Sequence, residues 1–155
     1  MTLKSVVDQS FLAMVESGNI RYQGLPASIV AIADDAAWDQ LFAAAGAPAV
    51  PFWLCGFSYG IATGLAADVS LLIDLGWGGA DGAAIAAANV ILTNYPVVLT
   101  AGVAAVGPSA LPSEMLPYPV RIPAGSRMAA RIASSPTGTV GFVEFRVILA
   151  TAVGS

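Results

Sequence analysis

Histidine is absent from this 155-residue chain, and lysine occurs once, as Lys4. Without histidine there is no Ser-His-Asp or Cys-His constellation, and Lys4 alone remains for a Ser-Lys variant. Cysteine also occurs once, as Cys55, which excludes an intrachain disulfide framework and a multi-cysteine metal site. Charged residues make up 10% of the chain, against about 25% in an ordinary soluble domain. The net charge of −4 argues against general affinity for nucleic acid.

Uninterrupted hydrophobic runs are missing as well. Residues 40–67 and 82–113 are free of charge and longer than the ~20 residues a membrane span needs. Glycine and proline interrupt both windows, the second also holds Asn89, Asn94 and Tyr95, and neither has the basic flanks that orient a span. No membrane helix is expected. No apolar core follows Lys4, so the start of the chain does not read as a secretory signal. Yet 57% of the residues are hydrophobic. A surface so poor in charge is expected to be covered by partner subunits.

What is present alternates. Residues 119–132, Pro-Val-Arg-Ile-Pro-Ala-Gly-Ser-Arg-Met-Ala-Ala-Arg-Ile, read as strand, tight turn, strand. Arg121, Arg127 and Arg131, three of the five arginines, fall on the expected outward faces. Val69–Trp77 alternates, with Leu71, Ile73, Leu75 and Trp77 on one side and Leu72, Asp74 and Gly76 on the other. In the last strand, predicted over residues 140–150, Val143, Phe145, Val147 and Leu149 face inward. Residues 28–33, 52–61, 85–92 and 97–106 are further apolar segments, Phe52–Ile61 being apolar on both faces. Residues 37–44 fit either a helical turn or a strand, residues 83–88 admit a helical turn, and residues 107–116 read as a Pro/Ser loop. Near the start, Leu3, Val6, Val7, Phe11, Met14 and Val15 trace one helical face, and Gly18-Asn19 supplies an exit.

The expected fold is an all-β antiparallel sandwich, jelly-roll-like, of seven or eight strands. Residues 1–18 form an N-terminal helix or arm, and residues 19–155 a single sandwich domain.

Candidate chemistry is sparse. Gly56-Phe57-Ser58-Tyr59-Gly60 matches G-x-S-x-G but lacks a histidine to activate Ser58. Asp34, Asp35 and Asp39 read as turn aspartates rather than calcium ligands, and the loop Gly76–Gly82 lacks the Lys-Ser/Thr of a phosphate cradle. No spacing selects a carboxylate pair for glycoside chemistry. Cys55 has no basic neighbour in its strand and reads as an inert buried thiol. Trp53, Trp77 and Tyr59 are candidates for a sugar-stacking platform, although strand aromatics more often belong to cores. No enzyme, cofactor or metal is expected.

The motif at residues 119–132 resembles a segment near the C-terminus of small tailed-bacteriophage virion structural proteins. Three features fit the same pattern in order: Trp38-Asp39-Gln40-Leu41, the Leu71-Ile73-Leu75 strand leading into the Gly76–Gly82 loop, and Leu116-Pro117. The resemblance implies a non-enzymatic building block, most simply a capsid decoration or cement protein. It would be made in the bacterial cytoplasm, carried in the virion, and assembled as a homo-oligomer, a trimer, on the major capsid protein. The alternative it implies is a tail, neck or fibre module binding a host glycan or receptor. Leu3, Val7, Phe11 and Met14 are then candidate docking residues, and Arg121, Arg127 and Arg131 candidate polar contacts to neighbours.

Overall fold

The short helix α1 (Gln9–Glu16) leads into eight strands: β1 (Ile20–Ala33), β2 (Asp39–Phe42), β3 (Phe52–Ile61), β4 (Val69–Trp77), β5 (Val90–Leu99), β6 (Glu114–Ile122), β7 (Met128–Ser135) and β8 (Phe142–Ala152). This is a computed structural model, and it describes residues 8–34, 37–61, 64–80, 82–102, 114–135, 140 and 142–153. No helix among the described residues is long and apolar enough to cross a membrane.

The strands form two four-stranded sheets, sheet I in the order β1-β8-β3-β6 and sheet II in the order β2-β7-β4-β5. Each strand pairs antiparallel with the one whose number completes nine: β1 with β8, β2 with β7, β3 with β6 and β4 with β5. The cross-pairs β3–β8 and β4–β7 complete the sheets. A long ribbon of strand pairs has been rolled around one core, which is the eight-stranded jelly roll.

Alternation builds that core. Val143, Phe145, Val147 and Leu149 of β8 meet Leu71, Ile73 and Leu75 of β4 across the sandwich, all fully buried. Each such side chain contributes roughly 1.5–3 kcal/mol of transfer free energy. Phe57 stacks on Phe145 at 5.3 Å and receives the edge of Tyr95 at 5.4 Å, tying β3, β8 and β5 together.

β3 departs from simple alternation for a physical reason. Against β8 its register shifts between Leu54 and Gly56, so Cys55 is an extra residue on this strand, while against β6 the same step runs from Val120 to Met115 and leaves the surplus residues on β6. Before the bulge Phe52 and Leu54 face the core, and after it Phe57, Tyr59 and Ile61 do. Trp53 and Cys55 consequently lie on the outer face, where Phe11 covers them. That outer cluster is where α1 docks, with Met14 packed beside it. Asp8 caps the helix by accepting from the amides of Ser10 and Phe11 at 2.8 and 3.1 Å, and Gly18 takes the left-handed exit at φ +69°.

Several boundaries differ from the sequence reading. β1 begins at Ile20 rather than residue 28, and its pairing with β8 is interrupted between Leu25 and Val30. Of the apolar segments expected at residues 85–92 and 97–106, residues 90–92 and 97–99 belong to one strand, β5, preceded by a 3-10 turn at Ala87–Asn89, and residues 103–106 lie outside the described residues. Residues 39–42 form a strand and Ala44–Gly46 a 3-10 turn. Residues 114–116, read as loop, already belong to β6. The corner at residues 123–126 joins β6 of sheet I to β7 of sheet II, so it is an arch between layers and not a hairpin. Gly125, at φ +63°, donates its amide to the Pro48 carbonyl at 2.9 Å and fixes the arch.

Candidate functional site

That arch separates the three arginines which the sequence places close together. Arg121 lies opposite Trp53 in the β3–β6 pair and is exposed at the edge of the outer face of sheet I. Arg131 lies on the outer face of sheet II. Arg127, expected to face outward, is 1% exposed: it precedes β7, and its side chain turns in beneath the Trp77–Gly78–Gly79 loop. They form no common patch. Among the predicted docking residues, Phe11 and Met14 pack on the chain's own sheet, so they are internal contacts of the described fold. Leu3 and Val7 lie outside the described residues.

The most elaborated surface feature is built around Arg131. Asp74 of β4 is its direct cross-strand partner, and Arg131 Nε donates to Asp74 Oδ2 at 2.6 Å. Asp74 is 4% exposed, and its Oδ1 accepts the Asn94 amide at 2.5 Å. Asn94 sits where β5 gains extra residues between Leu92 and Tyr95, and it adopts φ +53°, a left-handed conformation that asparagine tolerates better than most side chains. The bulge points the Asn94 amide at the carboxylate instead of into the ladder. Above the pair, the Arg131 guanidinium stacks over Trp38 at 4.9 Å from the ring centroid. Leu72, Asp74, Asn94, Arg131, Ile132 and Ala133 line a groove of about 200 Å³ here.

Chemically this is a held cation edge. One nitrogen of the guanidinium is committed to Asp74 and its face to Trp38, so the side chain is pre-organised with little rotamer freedom left to lose. It is suited to a planar acceptor such as a carboxylate or an amide carbonyl. It holds no nucleophile, and a volume of about 200 Å³ is below the ~300–1,000 Å³ typical of small-molecule pockets.

The other sequence candidates take structural places. Ser58 is buried in the middle of β3, with no strand-to-helix elbow. Cys55 is the bulge residue, and burial pushes its thiol up to about 11, so it stays protonated at neutral pH. Asp34 accepts from the amide and hydroxyl of Ser134 and ties the end of β1 to β7, and Asp39 accepts the Ala33 amide at 2.6 Å across the β1–β2 connection. Asp35 lies outside the described residues. Among the described residues no three His, Cys, Asp or Glu side chains converge as a metal site would require.

The sugar platform is overturned by the bulge. Trp53 is covered by α1 on the outer face of sheet I, whereas Tyr59 and Trp77 pack against the main core from sheets I and II. Trp38, Asp74 and Asn94 were not singled out around Arg131 in the sequence. Asp74 stood out as the lone acid in an apolar strand, but its partner depends on the β4–β7 register.

No family model, curated protein or solved structure matches this chain.

Proposed function

We propose that the chain is a non-enzymatic structural protein of a bacteriophage virion, a capsid decoration or cement protein that stabilises the head lattice through subunit contacts. The observation that carries the reading is the outer face of sheet II, left exposed by the described residues and short of charge, on a jelly roll that offers no nucleophile–base pair among those residues. The jelly roll is an architecture shared by viral capsid proteins, lectins and cupins, so its support is by analogy of fold. The segment at residues 119–132 adds the resemblance to phage structural proteins. A protein of this kind acts mechanically: burying apolar surface across subunit junctions stabilises the shell by roughly 25 cal/mol per Å², less the cost of association.

Copy number per purified particle tests the proposal. Hundreds of copies are expected for a head protein bound to the capsid lattice. A dozen or fewer would move the chain to the neck or tail, and absence from the particle would overturn the reading.

The groove at Arg131 gives a second reading a specific footing, a tail or fibre module that recognises an acidic host glycan. Arg131→Ala would then abolish retention on host polysaccharide, while a capsid protein would show no retention to lose.

A further inference from the structure

We infer that the outer face of sheet II is the contact between copies of this chain. The inference rests on the homo-oligomeric reading above; a face that meets the same face of a second copy closes a two-fold pair, so the contact makes a dimer in place of the expected trimer.

Proline distribution narrows the other route. The strands at the sheet edges are β1 and β6 in sheet I and β2 and β5 in sheet II. β5 contains Pro96, β6 contains Pro117 and Pro119, and β2 is four residues long. The central strands β8, β3, β7 and β4 contain none. Proline has no amide hydrogen to offer an added strand, and a four-residue edge offers few, so growth by strand addition is obstructed at β2, β5 and β6. The sheet faces are the broader surfaces left for association. On sheet I the middle of the outer face is taken by α1, through Phe11 on Trp53 at 6.1 Å.

Among the described residues the outer face of sheet II has no such cover. Ser70 pairs across the ladder with Val98 and Ser135, and Leu72 with Pro96 and Ala133. All six residues are exposed and none is charged, with Leu72 at 42% and Val98 at 71%. Monomeric soluble proteins seldom leave a contiguous uncharged patch with large apolar side chains exposed, and such patches mark interaction sites. Beside them the Asp74 charge is buried and already paired with Arg131, so a second neutral face meets no unpaired like charge. Small side chains let another sheet approach to the ~10 Å of stacked sheets. The strands of sheet II, 4, 8, 9 and 10 residues long at about 3.4 Å per residue and about 4.8 Å apart, present about 500 Å² of projected area. Two such faces bury about 1,000 Å², about what a specific interface needs. Away from the Arg131 guanidinium and Trp38, these rows hold two serine hydroxyls and no aromatic, little with which to select a glycan or a nucleic acid. A second copy fits it best.

The test is the molar mass of the full chain by light scattering after size exclusion. The wild type is expected at twice 15.6 kDa, and Leu72→Asp with Val98→Asp at 15.6 kDa with an unchanged far-ultraviolet spectrum. Ala133→Arg, a single change at another exposed position of the face, is expected to do the same if the double variant does not fold. Tyr22→Asp, exposed on sheet I, should leave the oligomer intact. An oligomer that survives both folded face variants overturns this inference and leaves the homo-oligomeric reading standing. A wild type found at 15.6 kDa at every concentration overturns both.

Discussion

Gly56→Ala is expected to detach β6 from sheet I and to cost about 3 kcal/mol or more. A methyl group at this position would run into the Glu114 carbonyl oxygen, with the Met115 sulfur at 3.0 Å and Met115 Cα at 3.1 Å as its next neighbours. Two of these three atoms are backbone, so no rotamer change clears the space. The glycine lies beside the β3 bulge, where Leu54 pairs with Val120 but Gly56 already pairs with Met115, so β6 crosses β3 more closely than a regular ladder allows. With about 2–4 °C of melting temperature per kcal/mol for a chain of this size, calorimetry should show a fall of about 6–12 °C. Hydrogen exchange should show lost protection in β6 ahead of β8. Gly46→Ala is the control: its nearest neighbour is the Phe42 Cβ at 3.9 Å, and it is expected to change stability by less than about 0.5 kcal/mol. An unchanged melting temperature in Gly56→Ala would show that β6 yields freely at the crossing.

The same bulge explains how much of the fold could be read from the chain. β4 and β8 keep strict alternation from end to end, and their inward residues could be named from the sequence alone. Phe52–Ile61 could be recognised as a strand but not oriented, because the extra residue Cys55 exchanges the inner and outer sets half-way along. Trp53 therefore looked available when it lies under α1. β5 was split in two for a related reason, the extra residues around Asn94 and the proline at position 96 imitating a break between strands. Bulges leave no mark in composition, since any residue can be the additional one.

The candidate site was less legible than the fold. Arg131 could be picked out on an outward strand face, but Asp74, Trp38 and Asn94 come from three other strands or their flanks. Their meeting depends on the register of β4 with β5 and β7, which is set by the whole roll. The arch at residues 123–126 had the turn chemistry of a hairpin, and local sequence does not say whether two strands return to one sheet or pass to another. That distinction decides where Arg121, Arg127 and Arg131 finish.

Arg127 carries the second large prediction. Arg127→Ala is expected to cost about 3–5 kcal/mol, because it opens a cavity and strips two half-buried carbonyls of their donor. Nη1 donates to the Gly78 carbonyl at 3.3 Å and to the Ala83 carbonyl at 3.1 Å, while the Arg127 carbonyl accepts the Gly78 amide at 2.8 Å. The loop it holds runs through Gly78 and Gly79 at φ +87° and +74°, conformations that glycine supplies and that do not hold themselves in place. Nε and Nη2 are buried and donate to nothing among the described residues, so the charge is poorly compensated there while the stem and one nitrogen serve the loop. This separates three variants. Arg127→Met keeps the stem, removes the poorly compensated charge and should cost less than the alanine variant. Arg127→Lys keeps the charge as a compact, strongly hydrated ammonium, which is harder to bury than a guanidinium, and should recover little stability. Thermal denaturation of the four proteins gives the order. If lysine restored most of the loss, the positive charge rather than the forked reach of the guanidinium would be what holds the loop, and a counter-charge would have to lie close to it in the folded protein.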